Sequence, residues 1–227
     1  MQLTTNELSE RVTALIAENK RKIALIESKP PKPVAMGLDA SPEYLRAARI
    51  ALLRGALRTR CSELAQASID CLKAHQPAAA VTLVRATIES VVVLYDLKLK
   101  LAQLSANRTL EGMEVLDEFL TTALFGSRRN NLERRAQNIL NRIERVAKEI
   151  PAIEGVYDNL SEVAHPNSDG IVQLYLSHDE STGHWSFSSV NLWNALFVAA
   201  ANLSTTLDVL INVDNAIRHI ANELESA

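Results

Sequence analysis

Residues 78–97, AAAVTLVRATIESVVVLYDL, decide the fold of this chain. Apolar residues occupy every side of a helix built on this stretch, which is typical of a helix buried inside a bundle. Only Arg85, Glu89 and Asp96 carry charge within it. The chain as a whole has seven glycines and 4% aromatic residues and is rich in alanine and leucine, which favours helices over sheets. We therefore predict an all-α protein, a bundle of long helices.

The flanking sequence carries local signals for helix starts. Thr4 and Glu7 have the spacing of a capping box. Ser41 is a predicted N-cap, and Pro42 follows it at the first position of the helix. Pro77 begins the central helix in the same way. We predict helices near residues 4–28, 42–73, 77–97, 109–124, 128–150, 151–165 and 190–226.

Residues 171–189 depart from the helical pattern. Residues 171–176 and 184–188 are rich in β-branched and aromatic side chains, and the turn-like residues 179–183 separate them. This arrangement predicts one small β-hairpin. A lone hairpin is marginally stable in water, so we expect it to pack against the bundle.

The proline-rich segment 29–41 divides the chain. We predict an N-terminal helical arm over 1–28, a linker over 29–41, and a helical bundle domain with a hairpin insertion over 42–227. The arm has an apolar stripe of six residues that must dock, either on its own bundle or on a second subunit. Closed two-fold dimers are the commonest oligomers, so we predict a homo-oligomer, specifically a dimer. The stripe comprises Leu8, Val12, Leu15, Ile16, Ile23 and Ile26.

Composition limits the function classes. The net charge of -3 gives no general reason to expect nucleic acid. Met1–Thr5 lacks the pattern of a signal peptide, and no uninterrupted apolar run is long enough to span a bilayer. Cys61 and Cys71 lie about 15 Å apart on one predicted helix and cannot form a disulfide with each other. We expect a cytoplasmic protein with no membrane segment, no zinc site and no cofactor.

One stretch concentrates polar chemistry, YDNLSEVAHPN at residues 157–167. Tyr157, Ser161 and His165 are four apart and share a helix face, and Pro166 ends that helix. The row could carry out acid–base chemistry near neutral pH. Alternatively, it could satisfy the carbonyls of the helix end, which is the interpretation that the sequence favours.

Arg85 and Glu89 are four apart in the apolar central helix, so they face the same way. Burying two charges is costly unless they are paired and hydrogen-bonded. Two interpretations stay open, a buried structural pair and a polar pocket within the bundle. In either case we expect the two side chains to be buried together.

A basic stripe is predicted on the helix near 128–150. Arg128, Arg135 and Arg142 are seven apart and could contact phosphates, which makes them nucleic-acid-binding candidates. No aromatic residues are interleaved with them to stack on bases. A solvated basic face is therefore the favoured interpretation.

The motif Arg85-x-x-x-Glu89, followed by the stretch from Tyr157 to Asn167, resembles the HEPN superfamily over about residues 42–225. The resemblance implies an all-helical, usually dimeric protein connected with phage defence or toxin–antitoxin systems. HEPN ribonucleases carry an arginine, then four to six residues, then a histidine. None of the five histidines here has an arginine at that spacing, so the ribonuclease residues do not carry over.

Two functional hypotheses follow. In the first, a HEPN-like bundle has a polar pocket of Arg85, Glu89, Tyr157, Ser161 and His165, which binds a nucleotide, RNA or a small polar ligand. In the second, the chain is a non-catalytic helical interaction protein that forms a homo-oligomer. The two differ in whether Arg85, Glu89 and His165 converge on an open cavity or form a closed network.

Overall fold

The computed structural model describes residues 3–35, 37, 40–126, 137–187 and 191–226. Within them the chain is a bundle of long helices with one two-stranded antiparallel sheet, which confirms the predicted fold class. The helices are α1 (Thr5–Glu27), α2 (Pro42–Lys73), α3 (Pro77–Ala106), α4 (Leu110–Phe125), α5 (Ile139–Ala147), α6 (Ala152–Ala164), α7 (Gln173–Tyr175) and α8 (Leu192–Ser226). A π-helical turn spans Ser168–Val172, and the strands are β1 (Leu176–Asp179) and β2 (His184–Phe187).

Helix α3 is the centre of the bundle. It packs against α2 and α8 along its length, and α4, α5 and α6 cover its remaining sides. Leu94, Leu97 and Leu101 have no exposed surface. The apolar character of residues 78–97 is therefore explained by neighbours on several sides of one helix.

The helix starts follow the sequence signals. The backbone N–H of Thr4 donates to the Glu7 carboxylate at 2.7 Å, and the Glu7 N–H donates to the Thr4 hydroxyl at 3.3 Å, which completes the capping box. Ser41 caps α2 through the N–H of Tyr44, with Pro42 in the first turn. These caps satisfy N–H groups that would otherwise lack helical partners.

Helix α1 packs on its own chain, mainly on α8 and also on α2. The side-chain amide of the buried Asn19 donates to the Ala200 carbonyl at 3.0 Å, and Lys22 Nζ lies 2.7 Å from the Asp208 carboxylate. In the linker, Pro31 packs closely against Gly55 of α2. Of the two docking alternatives, the structure has the intramolecular one, and the dimer stays a prediction.

Among the described helices, two meet the length and hydropathy of a membrane span, although charged residues interrupt the apolar sequence of both. They are α3 and the residues 192–221 of α8. These two helices pack against each other and form much of the core. Core helices of this kind meet the same criterion, so it is weak evidence for a membrane segment.

The hairpin begins five residues later than predicted. The side-chain oxygen of Asn167 accepts from the N–H groups of Asp169 and Gly170, which starts a helical turn where β-branched residues suggested a strand. This turn buries Leu174, and only at Leu176 does the chain become extended. The predicted end of the hairpin at residues 188–189 lies outside the described residues.

Candidate functional site

A triad of polar side chains joins α3 to α6. Tyr157 is 3% exposed, and its phenol oxygen lies between the two charged residues of α3. Arg85 Nη2 donates to this oxygen at 3.0 Å, and the Tyr157 hydroxyl donates to Glu89 Oε1 at 2.9 Å. Arg85 Nε is 3.4 Å from the same carboxylate oxygen. We refer to Arg85, Glu89 and Tyr157 as the polar triad.

The local sequence accounts for this geometry. Arg85 and Glu89 are one helical turn apart, so both point towards α6. On α6, Leu160 is buried one turn beyond Tyr157, and together they anchor that face of the helix on α3. The Arg85 guanidinium also lies 5.1 Å from the centre of the Tyr157 ring, a favourable cation–π distance.

The triad holds Tyr157 as a neutral donor. Burial raises the pKa of the phenol and Glu89 raises it further, while the Arg85 guanidinium acts in the opposite direction. The phenol therefore stays protonated at neutral pH and donates to Glu89. A residue in this state positions its neighbours and does not act as a base.

Arg85 and Glu89 lie together, as we expected, but their side chains are less buried than we expected. Their side chains are 27% and 34% exposed, so the pair is half-buried. Tyr157 of α6 contacts both side chains, and part of each charged group remains in solvent. Continued solvation lowers the cost of holding these charges at the bundle surface.

Ser161 and His165 do not join the triad. The Ser161 hydroxyl donates to the Tyr157 carbonyl at 2.7 Å, which satisfies the helix backbone. His165 is the C-cap of α6 and its side chain is exposed. Eight residues of helix separate it from Tyr157 by about 12 Å. The row of four-residue spacing exists, but only its first member reaches α3, so no acid–base relay connects the three residues.

Of the three residues in the predicted basic stripe, the structure describes Arg142, and this residue does not lie on a solvated face. Arg142 is 4% exposed and lies 2.7 Å from the Asp96 carboxylate. Burial lowers the pKa of its guanidinium, and Asp96 opposes that effect. Because Asp96 and the ring of Phe119 occupy the guanidinium, Arg142 is not available to a nucleic-acid phosphate. Arg128 and Arg135 lie outside the described residues.

The sequence interpretation missed a second cluster of charge, in which Asp214 of α8 meets three arginines. The available signals were an aspartate, Asp214, in a mainly apolar helix and five arginines on α2. Over the described part of the chain, no group of three or more His, Cys, Asp and Glu residues is arranged to hold a metal. Cys61 and Cys71 are both free thiols, and burial raises the pKa of Cys61 to about 12.

Comparison with known proteins adds no identity. No family model, no curated protein and no solved structure matches this chain. The resemblance to the HEPN superfamily therefore stays a prediction.

We expect Glu89→Ala to reduce the free energy of unfolding by about 1–2 kcal/mol. This value lies between those of an exposed ion pair and a buried one, because the carboxylate is half-buried and accepts one hydrogen bond from Tyr157. Urea denaturation monitored by circular dichroism measures it. Glu114→Ala, on the exposed face of α4, is the matched control and should change stability by less than 0.5 kcal/mol, roughly the surface value. A loss of more than 3 kcal/mol in Glu89→Ala, about that of a buried pair, would contradict half-burial.

Proposed function

We propose that this protein is a non-catalytic helical interaction protein that forms a homodimer through the apolar face of its β-hairpin. The observation that carries the proposal is the exposure of Phe187, 94%, and of Trp185, 59%, on adjacent positions of one strand face. Large exposed aromatic side chains grouped together mark interaction surfaces. The Tyr157 hydroxyl is hydrogen-bonded to both charged members of the polar triad, which favours this function over an acid–base site.

The strand register defines the interaction face. Leu176 pairs with Phe187, and His178 pairs with Trp185, so these four side chains project from the same face of the sheet. The rings of His178 and Trp185 are 4.6 Å apart. We call these four residues the hairpin face.

The opposite face and the turn hold the hairpin in shape. The hydroxyls of Ser177 and Ser186 are hydrogen-bonded at 2.7 Å across the strands. In the turn, hydrogen bonds from Ser181 and Thr182 lower the pKa of Asp179 to about 2, and Gly183 adopts a positive φ of 69°. A stable turn presents the hairpin face in one conformation, which lowers the entropic cost of association.

A second copy of the chain is the partner that fits best. Within the described residues, each strand of the two-stranded sheet has one edge without a β partner, and neither strand carries the lysine or proline that commonly blocks such edges. Around a two-fold axis, the edge of β2 pairs with itself, so the two hairpins form one four-stranded sheet and their hairpin faces lie side by side. Association therefore pairs the backbone groups of this edge and makes Trp185 and Phe187 cross-strand neighbours of the same residues in the second copy.

Phe187→Ser is the test of the proposal. Removing one phenyl ring from each side of a two-fold interface costs about 3–6 kcal/mol, which weakens dimerisation by roughly a hundredfold or more. Multi-angle light scattering over a concentration series should show a dimer for the wild-type protein and a monomer for the variant. Leu110→Ser, at a residue that is 77% exposed on α4, is the control and should remain dimeric. A monomeric wild-type protein, or a dimer of equal affinity in Phe187→Ser, refutes the proposal.

A second candidate function is the binding of a small polar ligand, nucleotide or RNA at the polar triad. It is favoured by one observation, that Arg85 Nε is buried and, although it lies 3.4 Å from Glu89 Oε1, makes no hydrogen bond to a described residue. The HEPN resemblance would place such binding in phage defence or a toxin–antitoxin system. Fluorescence anisotropy with labelled single-stranded RNA and with a labelled nucleotide tests it. Binding to the wild-type protein that is lost in Arg85→Gln supports this function. Binding of equal affinity to both proteins, or no binding to the wild-type protein, excludes it.

A further inference from the structure

Asp214 of α8 lies among three guanidinium groups. Arg54 of α2 contacts its carboxylate through Nε and through Nη2, the latter at 3.2 Å. Arg58 Nε is 3.5 Å from the same carboxylate, and Arg218 Nη2 is 3.3 Å from it. The side chain of Asp214 is 6% exposed. One carboxylate is thus shared by three cations from two helices.

The cluster has an excess of positive charge. Three arginines against one aspartate leave two charges uncompensated, and the side chain of Arg58 is only 7% exposed. Burial lowers the pKa of Arg58. The charge of Asp214 raises this pKa, whereas the charges of Arg54 and Arg218 lower it further. Buried charge without a counter-ion is costly, so the cluster is a favourable place for an added anion.

A cavity opens beside this cluster, between the end of α1, α2 and α8. Its volume is about 50 Å³, and its polar lining consists of three cations, Arg58, Arg218 and Lys29, together with Asn215 and the carboxylate of Asp214. Leu25 and Leu210 contribute to its apolar wall. The cavity therefore combines cationic groups with a boundary that partly excludes water, and both strengthen the binding of an anion.

One donor at this cavity lacks an acceptor. Arg218 Nε is buried and has no hydrogen-bond partner among the residues that the structure describes, although Nη2 of the same group donates to Asn215 Oδ1 at 2.6 Å. On Arg58, Nη2 donates to the Ile26 carbonyl at 2.7 Å, which holds that guanidinium in place. A buried donor without a partner is uncommon in folded proteins and requires an explanation. An acceptor from outside the chain supplies one.

We propose that this cavity binds a phosphate oxyanion, either free phosphate or the phosphate group of an ester. Arg218 Nε would donate to one oxygen, the Arg58 guanidinium would supply charge from beneath, and Lys29 would contribute its ammonium at the entrance. Guanidinium groups match tetrahedral oxyanions in geometry and form the stronger, charge-assisted hydrogen bonds. The cavity is lined in part by the exposed Leu25, so the rest of an ester would extend past this residue into solvent.

Isothermal titration calorimetry with inorganic phosphate tests the proposal on the full chain, with sodium chloride used to keep ionic strength constant. We expect saturable binding to the wild-type protein, weakened at least tenfold in Arg218→Gln. Arg11→Gln, which removes an exposed arginine on α1 away from the cavity, should bind as the wild-type protein does. Lys29→Gln changes an exposed side chain and should fold normally, so it provides an independent variant in which we expect a several-fold loss.

A parallel titration with adenosine monophosphate distinguishes the two sources of phosphate. Tighter binding of the ester than of free phosphate assigns the site to a phosphate ester, and the reverse assigns it to the free ion. No saturable binding of either probe overturns the proposal. Binding that is unchanged in Lys29→Gln and Arg218→Gln, or that is weakened equally in Arg11→Gln, also overturns it. Neither result depends on the oligomeric state or on the hairpin face.

Discussion

Replacement of Asp96 by alanine is expected to reduce the free energy of unfolding by about 3–5 kcal/mol, because it strands a buried cation. Asp96 is 2% exposed in its side chain and accepts from Arg142 at 2.7 Å and from Arg145 at 2.9 Å. Arg145 is 39% exposed and can return to solvent, whereas Arg142, 4% exposed, cannot. The destabilisation therefore comes mainly from Arg142.

Thermal and urea denaturation of Asp96→Ala measure this effect, and a decrease in Tm of roughly 10 °C is expected for a chain of this size. Asp70→Ala is the matched control, because Asp70 also pairs with a basic residue, Lys73, but is 61% exposed. Replacing both Asp96 and Arg142 by leucine should recover most of the loss, since a buried ion pair contributes little net stability. A double variant as unstable as Asp96→Ala would contradict the assignment of the cost to a stranded guanidinium.

Asp214→Ala is the second substitution with a large expected effect, again about 3–5 kcal/mol. Without this carboxylate, three guanidinium groups repel one another between α2 and α8. Arg54 and Arg218 are 20% and 35% exposed, so we expect added salt to reduce the destabilisation by screening their repulsion. Salt should have a smaller effect on Asp96→Ala, because Arg142 is almost completely buried.

Urea denaturation at low and at high sodium chloride concentration measures both parts of this prediction. Asp208→Ala is the control on the same helix, since Asp208 pairs with Lys22 but is 56% exposed. We expect the control to lose less than about 1 kcal/mol, as exposed ion pairs do. The prediction is wrong if Asp214→Ala is no more destabilising than Asp208→Ala.

The features that were predictable from the sequence depend on neighbours within one helical turn. The Thr4–Glu7 capping box, the Ser41 cap and the end of α6 at His165 each involve residues at most four apart, and each is present in the structure. Asn167 also forms a turn, as its residue type suggests. The apolar stretch 78–97 identified the central helix for the same reason, because periodicity is a local property.

The features that were not predictable depend on how helices meet. Arg142 was placed on a solvated face because its partner, Asp96, lies 46 residues away on another helix. Arg54 and its partner are 160 residues apart. In the same way, spacing placed Tyr157 and His165 in one row, but the crossing of α6 over α3 decides that only Tyr157 reaches Arg85.

The predicted start of the first strand, at residue 171, was wrong for a different reason. Residues 171–175 have the β-branched and aromatic composition of a strand, but the cap at Asn167 and the burial of Leu174 favour a helical turn. Gly170 permits this turn, because a Cβ at this position would overlap the carbonyl oxygen of His165. Local propensity was overruled by packing, as is frequent for short β-like segments.

The packing of α1 on α8 has a consequence for the order of events during synthesis. Asn19 bonds to Ala200, 181 residues later, and Lys22 bonds to Asp208, 186 residues later. At ribosomal rates of about 5–20 residues per second, α1 emerges roughly 10–40 s before the helix that covers it. During that interval its apolar stripe is available to chaperones and to neighbouring nascent chains. Closure of the bundle by α8 is therefore the step that ends this period of vulnerability.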